Sequence, residues 1–134
     1  MFRLAVLFIL TVFTTTPAQQ PDKHPLQTAE ELYNARRYDD AHTALQRVIE
    51  GEPTNAEAFW LLGLVSQQLD DPEAAISAYK TAIFWEPNRI DTHISLARIL
   101  LTRNQHSEAK KYIKLALAID PANQEVQTLR RLSR

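Results

Sequence analysis

The sequence contains no cysteine and only two glycines among its 134 residues. Without cysteine, the chain has no disulfide, no thiolate metal site and no thiol catalysis. Glycine occurs only at Gly51 and Gly63, so the tight turns of a β-rich domain lack their usual residues. The long stretches between prolines are instead rich in Ala, Leu, Glu, Gln and Arg, which favour helices. We therefore expect an all-α protein.

The chain also has little excess charge of either sign. Its 15 Lys and Arg and 16 Asp and Glu residues give a formal net charge of -1. Proteins that neutralise phosphates usually carry a basic excess, so nucleic acid is not an expected partner. The composition, 45% hydrophobic and 23% charged, is that of a globular protein, and the length fits one domain.

The N-terminal segment has the three-part composition of a secretory signal peptide. Residues 1–3 supply a short positive start, residues 4–13 are apolar except for Thr11, and residues 14–20 are small and polar. Small residues at Thr16 and Ala18 predict cleavage near Ala18, which gives a signal peptide at 1–18 and a periplasmic or secreted domain at 19–134. The alternative is an uncleaved N-terminal membrane anchor, although about ten apolar residues fall short of the roughly 20 that span a bilayer.

A period of 34 residues runs through the rest of the chain. Pro53, Pro87 and Pro121 have this spacing, and each follows an acidic residue. Four more columns keep it without an insertion: Ala29, Gly63 and Ala97; Ala41, Ala75 and Ala109; Leu45, Tyr79 and Ile113; and Val48, Ala82 and Ala116. A fixed period of this length indicates stacked helical pairs.

The residue types in these columns have a packing explanation. The small-residue columns let the two helices of a pair approach closely, and a larger side chain there would cost about 1 to 3 kcal/mol by overpacking. The two larger columns lie three residues apart on one helical face, so we expect them to be buried. The carboxylate pairs Asp39-Asp40 and Asp70-Asp71 stand where second helices start, and we interpret them as caps.

The second repeat carries the most specific motif, which is Phe59-x-x-Leu62-Gly63 followed by Ala75-x-x-x-Tyr79-x-x-Ala82 and Pro87. This motif resembles the tetratricopeptide repeat signature. The resemblance implies a right-handed α-solenoid of three helix-turn-helix repeats, at about 22–55, 56–89 and 90–123, with a C-terminal capping helix at 124–132. We predict helices at 26–36, 39–50, 55–69, 72–85, 89–103, 107–119 and 123–132.

In the resembled family, the first helices of the pairs line a concave face. Helical spacing places on it Leu26 and Glu30, and a candidate binding groove of Tyr33, Trp60, Leu64, Gln67, Ile94, Arg98 and Leu101. Tyr, Trp and Arg dominate interface hot spots, so this set predicts capture of a helix or peptide of another protein. Trp60 and Tyr33 could instead pack within their own repeats.

One subclass of the family clamps the C-terminal carboxylates of chaperones with lysines, asparagines and an arginine. The matching positions here are Leu26, Glu30, Leu61, Asp91 and Ser95. The resemblance therefore does not extend to that clamp, and a chaperone tail is not the expected ligand.

Two further surfaces are candidates for contacts. Phe84 stands where the resembled repeat usually has a solvent-facing acid, so with Ile83 and Trp85 it marks either a homo-oligomer contact or an aromatic packed over the next helix. The C-terminal end is basic, and it either meets anionic lipid headgroups or an acidic partner, or is a solvated helix face. Its cations are Lys110, Lys111, Lys114, Arg130, Arg131 and Arg134.

No residue set in the sequence indicates catalysis. The four histidines lack the His-x-x-x-His spacing of a metal site, and there is no phosphate-binding glycine loop or nucleophile elbow. We expect no enzymatic activity, metal or cofactor. The expected function is an extracytoplasmic adaptor or scaffold that binds another protein. The alternatives are a self-assembling structural protein and a membrane-associated accessory factor of an envelope complex.

Overall fold

The computed structural model describes residues 24–134, which form seven helices in series. The helices are α1 Pro25–Asn34, α2 Tyr38–Gly51, α3 Ala56–Gln68, α4 Pro72–Trp85, α5 Ile90–Thr102, α6 His106–Ile119 and α7 Gln124–Leu132. The predicted architecture of three helix-turn-helix pairs and a capping helix is confirmed. The predicted signal peptide at 1–18 lies outside the described residues.

Each helix packs against its partner in the pair and against the next helix along the chain. The 34-residue columns form the inside of this stack. The four columns that begin at Ala29, Ala41, Leu45 and Val48 contain three residues each. All twelve residues are buried, as the periodicity predicts. The repeat spacing thus places equivalent side chains at equivalent depths in the core.

Gly63 and Tyr79 are matched in size across the second pair. A methyl group on Gly63 would overlap the ring of Tyr79, which is fully buried. The first repeat has Ala29 and Leu45 at the same two positions. The larger ring in repeat 2 is therefore accommodated by the loss of a Cβ on the facing helix.

The turn inside each pair closes without glycine. Arg36, Asp70 and Asn104, again 34 residues apart, adopt left-handed backbone conformations with φ of 60°, 59° and 59°. In each turn the next backbone N–H donates to the carbonyl five residues before it, at 2.9 Å, in the pattern of a Schellman motif. These turns give no glycine signal in the sequence.

Side-chain caps start only some of the helices. Asp71 accepts a hydrogen bond from the Ala74 N–H at 3.0 Å, as predicted. The interpretation of Asp39 and Asp40 as caps is wrong, because α2 begins at Tyr38 and places both carboxylates within its first turn. Asp40 instead pairs with Arg37 at 2.7 Å.

The buried side chains form two clusters. One joins α1, α2 and α3, and the other joins α4 to α7. Trp60 and Leu64 of α3 pack against both clusters and so connect them. None of the helices between residues 24 and 134 has the length and apolar character needed to cross a membrane.

Candidate partner-binding site

A hollow of about 170 Å³ lies between α1 and α3, on the face formed by the first helices. It is lined by Glu30, Tyr33, Asn34, Trp60, Leu61 and Leu64. We call this the α1–α3 hollow. Tyr33, Trp60 and Leu64, which belong to the predicted groove, thus come together, and all three are partly exposed.

The sequence left open whether Trp60 lies in the groove or packs within its own repeat, and its side chain does both. One side of its ring lines the α1–α3 hollow, while the rest of it packs against both core clusters. Its indole N–H donates a hydrogen bond to the hydroxyl of Ser95 in α5, at 3.4 Å. The core contacts and this hydrogen bond therefore fix the orientation of the ring that Trp60 presents to the hollow.

Arg89 also contacts the ring of Trp60. Its guanidinium carbon lies 4.8 Å from the centroid of the indole ring, within cation–π range. The same guanidinium pairs with Glu57 at 3.3 Å and with Glu86 at 3.6 Å. Arg89 and Glu86 from the turn between α4 and α5, together with Glu57 of α3, therefore hold this guanidinium against Trp60.

Arg89 was not among the predicted site residues, although the sequence distinguishes it from the equivalent residues of the other repeats. The residue before α3 is Asn55 and the residue before α7 is Asn123, and each caps its helix through its side chain. Arg89 holds the equivalent place before α5 and makes no side-chain cap. The break in this asparagine column marks a residue used for a contact between repeats.

Gln67, which was predicted to lie in the groove, does not line the α1–α3 hollow, and its amide oxygen already accepts a hydrogen bond. The hydroxyl of Tyr79, which is fully buried as a residue, donates to Oε1 of Gln67. Burial raises the pKa of Tyr79 well above its ordinary value, while a hydrogen bond with Ser95 acts in the opposite direction. Tyr79 is therefore neutral and acts as a hydrogen-bond donor at any physiological pH.

Tyr33 forms the other aromatic wall of the hollow. Its ring lies 5.7 Å from that of Tyr38, at an interplanar angle of 56°. Burial raises the pKa of the Tyr33 hydroxyl, and the nearby Tyr38 raises it further. This wall is uncharged and combines an apolar ring with one polar atom.

The predicted groove does not continue along α5 with the same exposure. Ile94 is only 6% exposed and shares a core cluster with Val126 of the capping helix. The prediction that Ile94 lines the groove is therefore wrong. Leu26, at 8% exposure, is also buried. Leu101 is half-buried against the same cluster.

Arg98 is exposed, but it forms an ion pair with Glu125. The physical reason for the closed surface is that α5 packs against α7 as well as against its own pair. Eight of its thirteen residues are consequently buried. The accessible part of the predicted groove is the α1–α3 end.

The rim of the α1–α3 hollow is polar and acidic. Glu30 and Asn34 lie at its edge, and none of the six lining residues is basic. Asn34 was missing from the predicted groove, although it follows Tyr33 directly in the last turn of α1. The hollow thus offers an apolar floor with oxygen acceptors beside it.

The basic C-terminal end that the sequence predicted lies on the surface of α6 and α7. Arg130, Arg131 and Arg134 line an open hollow on the outside of α7, and Lys110, Lys111 and Lys114 are exposed on α6 except where Lys111 approaches Tyr112. A contact of this basic end with a membrane stays a prediction. Within residues 24–134, no three His, Asp or Glu side chains form a group that could hold a metal ion.

Comparison with protein families agrees with the repeats. One model described as tetratricopeptide repeat matches residues 26–89, and a second matches residues 66–132, half of the chain. The chain belongs to the tetratricopeptide repeat (TPR) family. The motif around Gly63 and Tyr79 is thus a true TPR motif.

Two curated relatives match this chain over a small part of their own length. The chain is 29% identical over 80 residues to the probable biofilm formation methyltransferase WspC of Pseudomonas putida, which covers 60% of this chain and 19% of that protein. It is 27% identical over 89 residues to peroxisome biogenesis protein 5 of Arabidopsis thaliana, covering 66% and 12%. The match spans less than a fifth of these relatives, whose names describe different processes.

Solved TPR structures have the same fold. The first TPR domain of Spaghetti (RPAP3), bound to an HSP90 peptide, superposes with a TM-score of 0.76 at 18% identity, covering 81% of this chain and 87% of that one. The Yersinia enterocolitica type III secretion chaperone SycD, in complex with a peptide of the translocator YopD, gives 0.71 at 23% identity, covering 81% and 84%. At these identities the similarity establishes the fold.

Proposed function

We propose that this TPR protein is an extracytoplasmic adaptor whose α1–α3 hollow binds a helix or extended segment of another protein. One observation carries the proposal: Tyr33, Trp60 and Leu64 form an accessible apolar surface that the core holds in place. An aromatic surface with a fixed orientation loses little entropy on binding, which favours its use as an anchor site.

The chemistry of the hollow suggests what the segment contains. An apolar side chain of the partner fits the floor, because burying it there removes apolar surface from water. The carboxylate of Glu30 and the amide of Asn34 at the rim favour donor groups beside it, such as Lys, Arg or backbone N–H. An acidic tail is disfavoured, since none of the six described residues that line this hollow is basic.

The solved TPR structures support the proposal by analogy of fold. SycD and RPAP3 are seen with peptides of other proteins, YopD and HSP90. The extracytoplasmic location rests on the composition of residues 1–18, and it is part of the proposal. We assign the chain a binding role, with no catalytic step, metal or cofactor.

Site-specific photocrosslinking tests this proposal. A benzophenone amino acid in place of Asn34, at the rim of the hollow, should crosslink a partner protein in cells of the source organism. The same amino acid in place of Gln46, exposed on α2, is the matched control and should give little adduct. Equal labelling from both positions would contradict the assignment of the site.

A charge reversal provides the second arm of the experiment. Glu30→Lys should reduce crosslinking from position 34, because it removes the rim carboxylate and repels basic partner groups. Glu50→Lys makes the same change in charge on the exposed side of α2 and should leave crosslinking unchanged. If Glu30→Lys has no effect while the helical content is preserved, the partner does not use this hollow.

A further inference from the structure

An apolar ridge lies at the end of α4, and neither of its residues lines the α1–α3 hollow. Phe84 is 72% exposed and Trp85 is 44% exposed. Their rings meet edge to face, with centroids 4.9 Å apart, so each restricts the other. We call these two residues the Phe84–Trp85 ridge.

The repeat itself does not require this ridge. The position of Phe84 is occupied by Glu50 in repeat 1 and by Ala118 in repeat 3, and both of those residues are exposed. A polar or small residue therefore satisfies the packing of a pair at this place. A pair of large exposed rings where the fold accepts an acid indicates a surface for association.

A second hollow, of about 510 Å³, lies beside the ridge. It is lined by Pro87, Asn88, Leu115, Ala118 and Ile119, and we call it the α6 hollow. Leu115 is 41% exposed and Ile119 is 36% exposed. Its lining is thus mainly apolar, and it begins two residues after Trp85 in the chain.

An ion pair shows that the ridge and the α6 hollow face the same way. Lys80 of α4 pairs with Glu108 of α6 at 2.7 Å. Phe84 follows Lys80 by one helical turn, and Leu115 follows Glu108 by two turns, so both continue the stripes on which the ion pair lies. One copy therefore carries a ridge and a recess on one continuous surface.

We propose that this surface joins two copies of the chain about a two-fold axis, with the Phe84–Trp85 ridge of each copy entering the α6 hollow of the other. A surface that holds both complementary halves can pair with itself, which is the requirement for a closed symmetric dimer. The proposal goes beyond partner binding, because none of the residues that line the α1–α3 hollow belongs to this surface.

The charges beside the apolar surface fit a second copy. Glu86 follows the ridge directly, and although it pairs with Arg89 at 3.6 Å, its side chain is 54% exposed and accessible to a second cation. Lys114 precedes Leu115 at the α6 hollow, is exposed, and makes no ion pair with any described residue. The two-fold arrangement brings Glu86 of one copy near Lys114 of the other, so opposite charges meet at the rim.

Sedimentation velocity of the full chain over a concentration series tests the proposal. We expect a monomer–dimer equilibrium, and Phe84→Glu should raise its dissociation constant by about thirtyfold or more, as for an interface hot spot. Phe84→Glu places at this position the residue type that repeat 1 already has, so the fold should persist. Leu132→Glu, at a 63% exposed leucine on α7, is the matched control and should leave dimerisation unchanged.

A charge exchange tests the two-fold register. Lys114→Glu should weaken the dimer, and adding Glu86→Lys should restore it, because the exchanged charges again attract across the axis. A monomer at every concentration, a dimer that persists in Phe84→Glu, or a different protein in place of the second copy would overturn the proposal. Failure of the double variant to recover would overturn the arrangement of the two copies.

Discussion

The guanidinium of Arg89 lies over the indole of Trp60, with its central carbon 4.8 Å from the ring centroid. Arg89 precedes α5 and Trp60 belongs to α3, so this contact ties the helix of the second pair to the turn from which the third pair starts. Arg89 stands in a column whose other members, Asn55 and Asn123, cap their helices. A capping position has thus been used to orient the aromatic residue of the α1–α3 hollow.

Removing Arg89 should destabilise the fold and release Trp60. We expect Arg89→Ala to lower the free energy of unfolding by about 1 to 2 kcal/mol, since it loses a partly buried cation–π contact and two ion pairs that solvent screens. Urea denaturation measures the change. Arg47→Ala, at an exposed arginine that makes no ion pair with any residue of the described range 24–134, should stay within about 0.5 kcal/mol of the wild type.

Arg89→Asn separates the cap from the contact with Trp60. Asparagine should cap α5 as Asn55 caps α3, so this variant should recover about 0.5 to 1 kcal/mol relative to Arg89→Ala. Its Trp60 should nevertheless be as mobile as in Arg89→Ala, which tryptophan fluorescence anisotropy can detect against a Trp85→Phe background. Equal stabilities of the two variants would show that a side-chain cap at position 89 adds no stability.

Adding one methyl group at Gly63 should destabilise the second pair. Its Cβ would overlap the ring of Tyr79, and we expect Gly63→Ala to cost about 1 to 3 kcal/mol by overpacking. Gly51→Ala is the control, because nothing lies within 4 Å of the Cβ it would add. Alanine there should be neutral or stabilise the end of α2 by up to about 1 kcal/mol.

The size match between Gly63 and Tyr79 predicts a specific rescue. Gly63→Ala combined with Tyr79→Leu recreates the Ala29 and Leu45 pair of repeat 1. We expect the double variant to be more stable than the sum of the two single changes predicts, as a double-mutant cycle in chemical denaturation would show. Strict additivity would mean that the two positions are not coupled.

The buried hydroxyl of Tyr79 should make the fold sensitive to alkali. Because the pKa of Tyr79 is raised in the folded chain, the unfolded chain loses this proton first, near pH 10. The free energy of unfolding should then fall above that pH by up to about 1.4 kcal/mol per pH unit for this one group. Below pH 10 the group should contribute no pH dependence.

Comparison with Tyr79→Phe isolates this titration. The variant lacks the ionisable group, so its stability should decline less steeply than that of the wild type between pH 9 and 11 in urea titrations. Parallel profiles would show that other groups cause the alkaline loss. The variant should also be less stable at pH 7 by about 1 kcal/mol or more, because the amide oxygen of Gln67 loses its donor.

Export should remove the N-terminal segment. We expect N-terminal sequencing of the protein from the envelope or medium to begin at Gln19, following cleavage near Ala18. Fractionation in high salt should leave the processed protein in the soluble fraction. An intact Met1 on a membrane-bound protein would support the alternative of an N-terminal anchor.

The local sequence determined the helices and their order. The 34-residue period, the small-residue columns and the closing prolines predicted all seven helices within two residues at each end. They succeed because each column reports a contact inside one repeat or between neighbouring repeats, where sequence distance and spatial distance are linked. The conformation of the turns could not be predicted in the same way, because Arg36, Asp70 and Asn104 adopt left-handed conformations without being glycine.

The tertiary structure alone decided which predicted groove residues are accessible. Helical spacing put Ile94 and Leu64 on the same face, yet Ile94 is buried and Leu64 lines the α1–α3 hollow. Spacing along one helix gives the direction of a side chain but not what lies over it, and burial is set by contacts between elements distant in sequence. For the same reason the sequence determined that this TPR chain stacks three repeats, whereas only the folded stack showed Arg89 over Trp60 and the Phe84–Trp85 ridge beside its hollow.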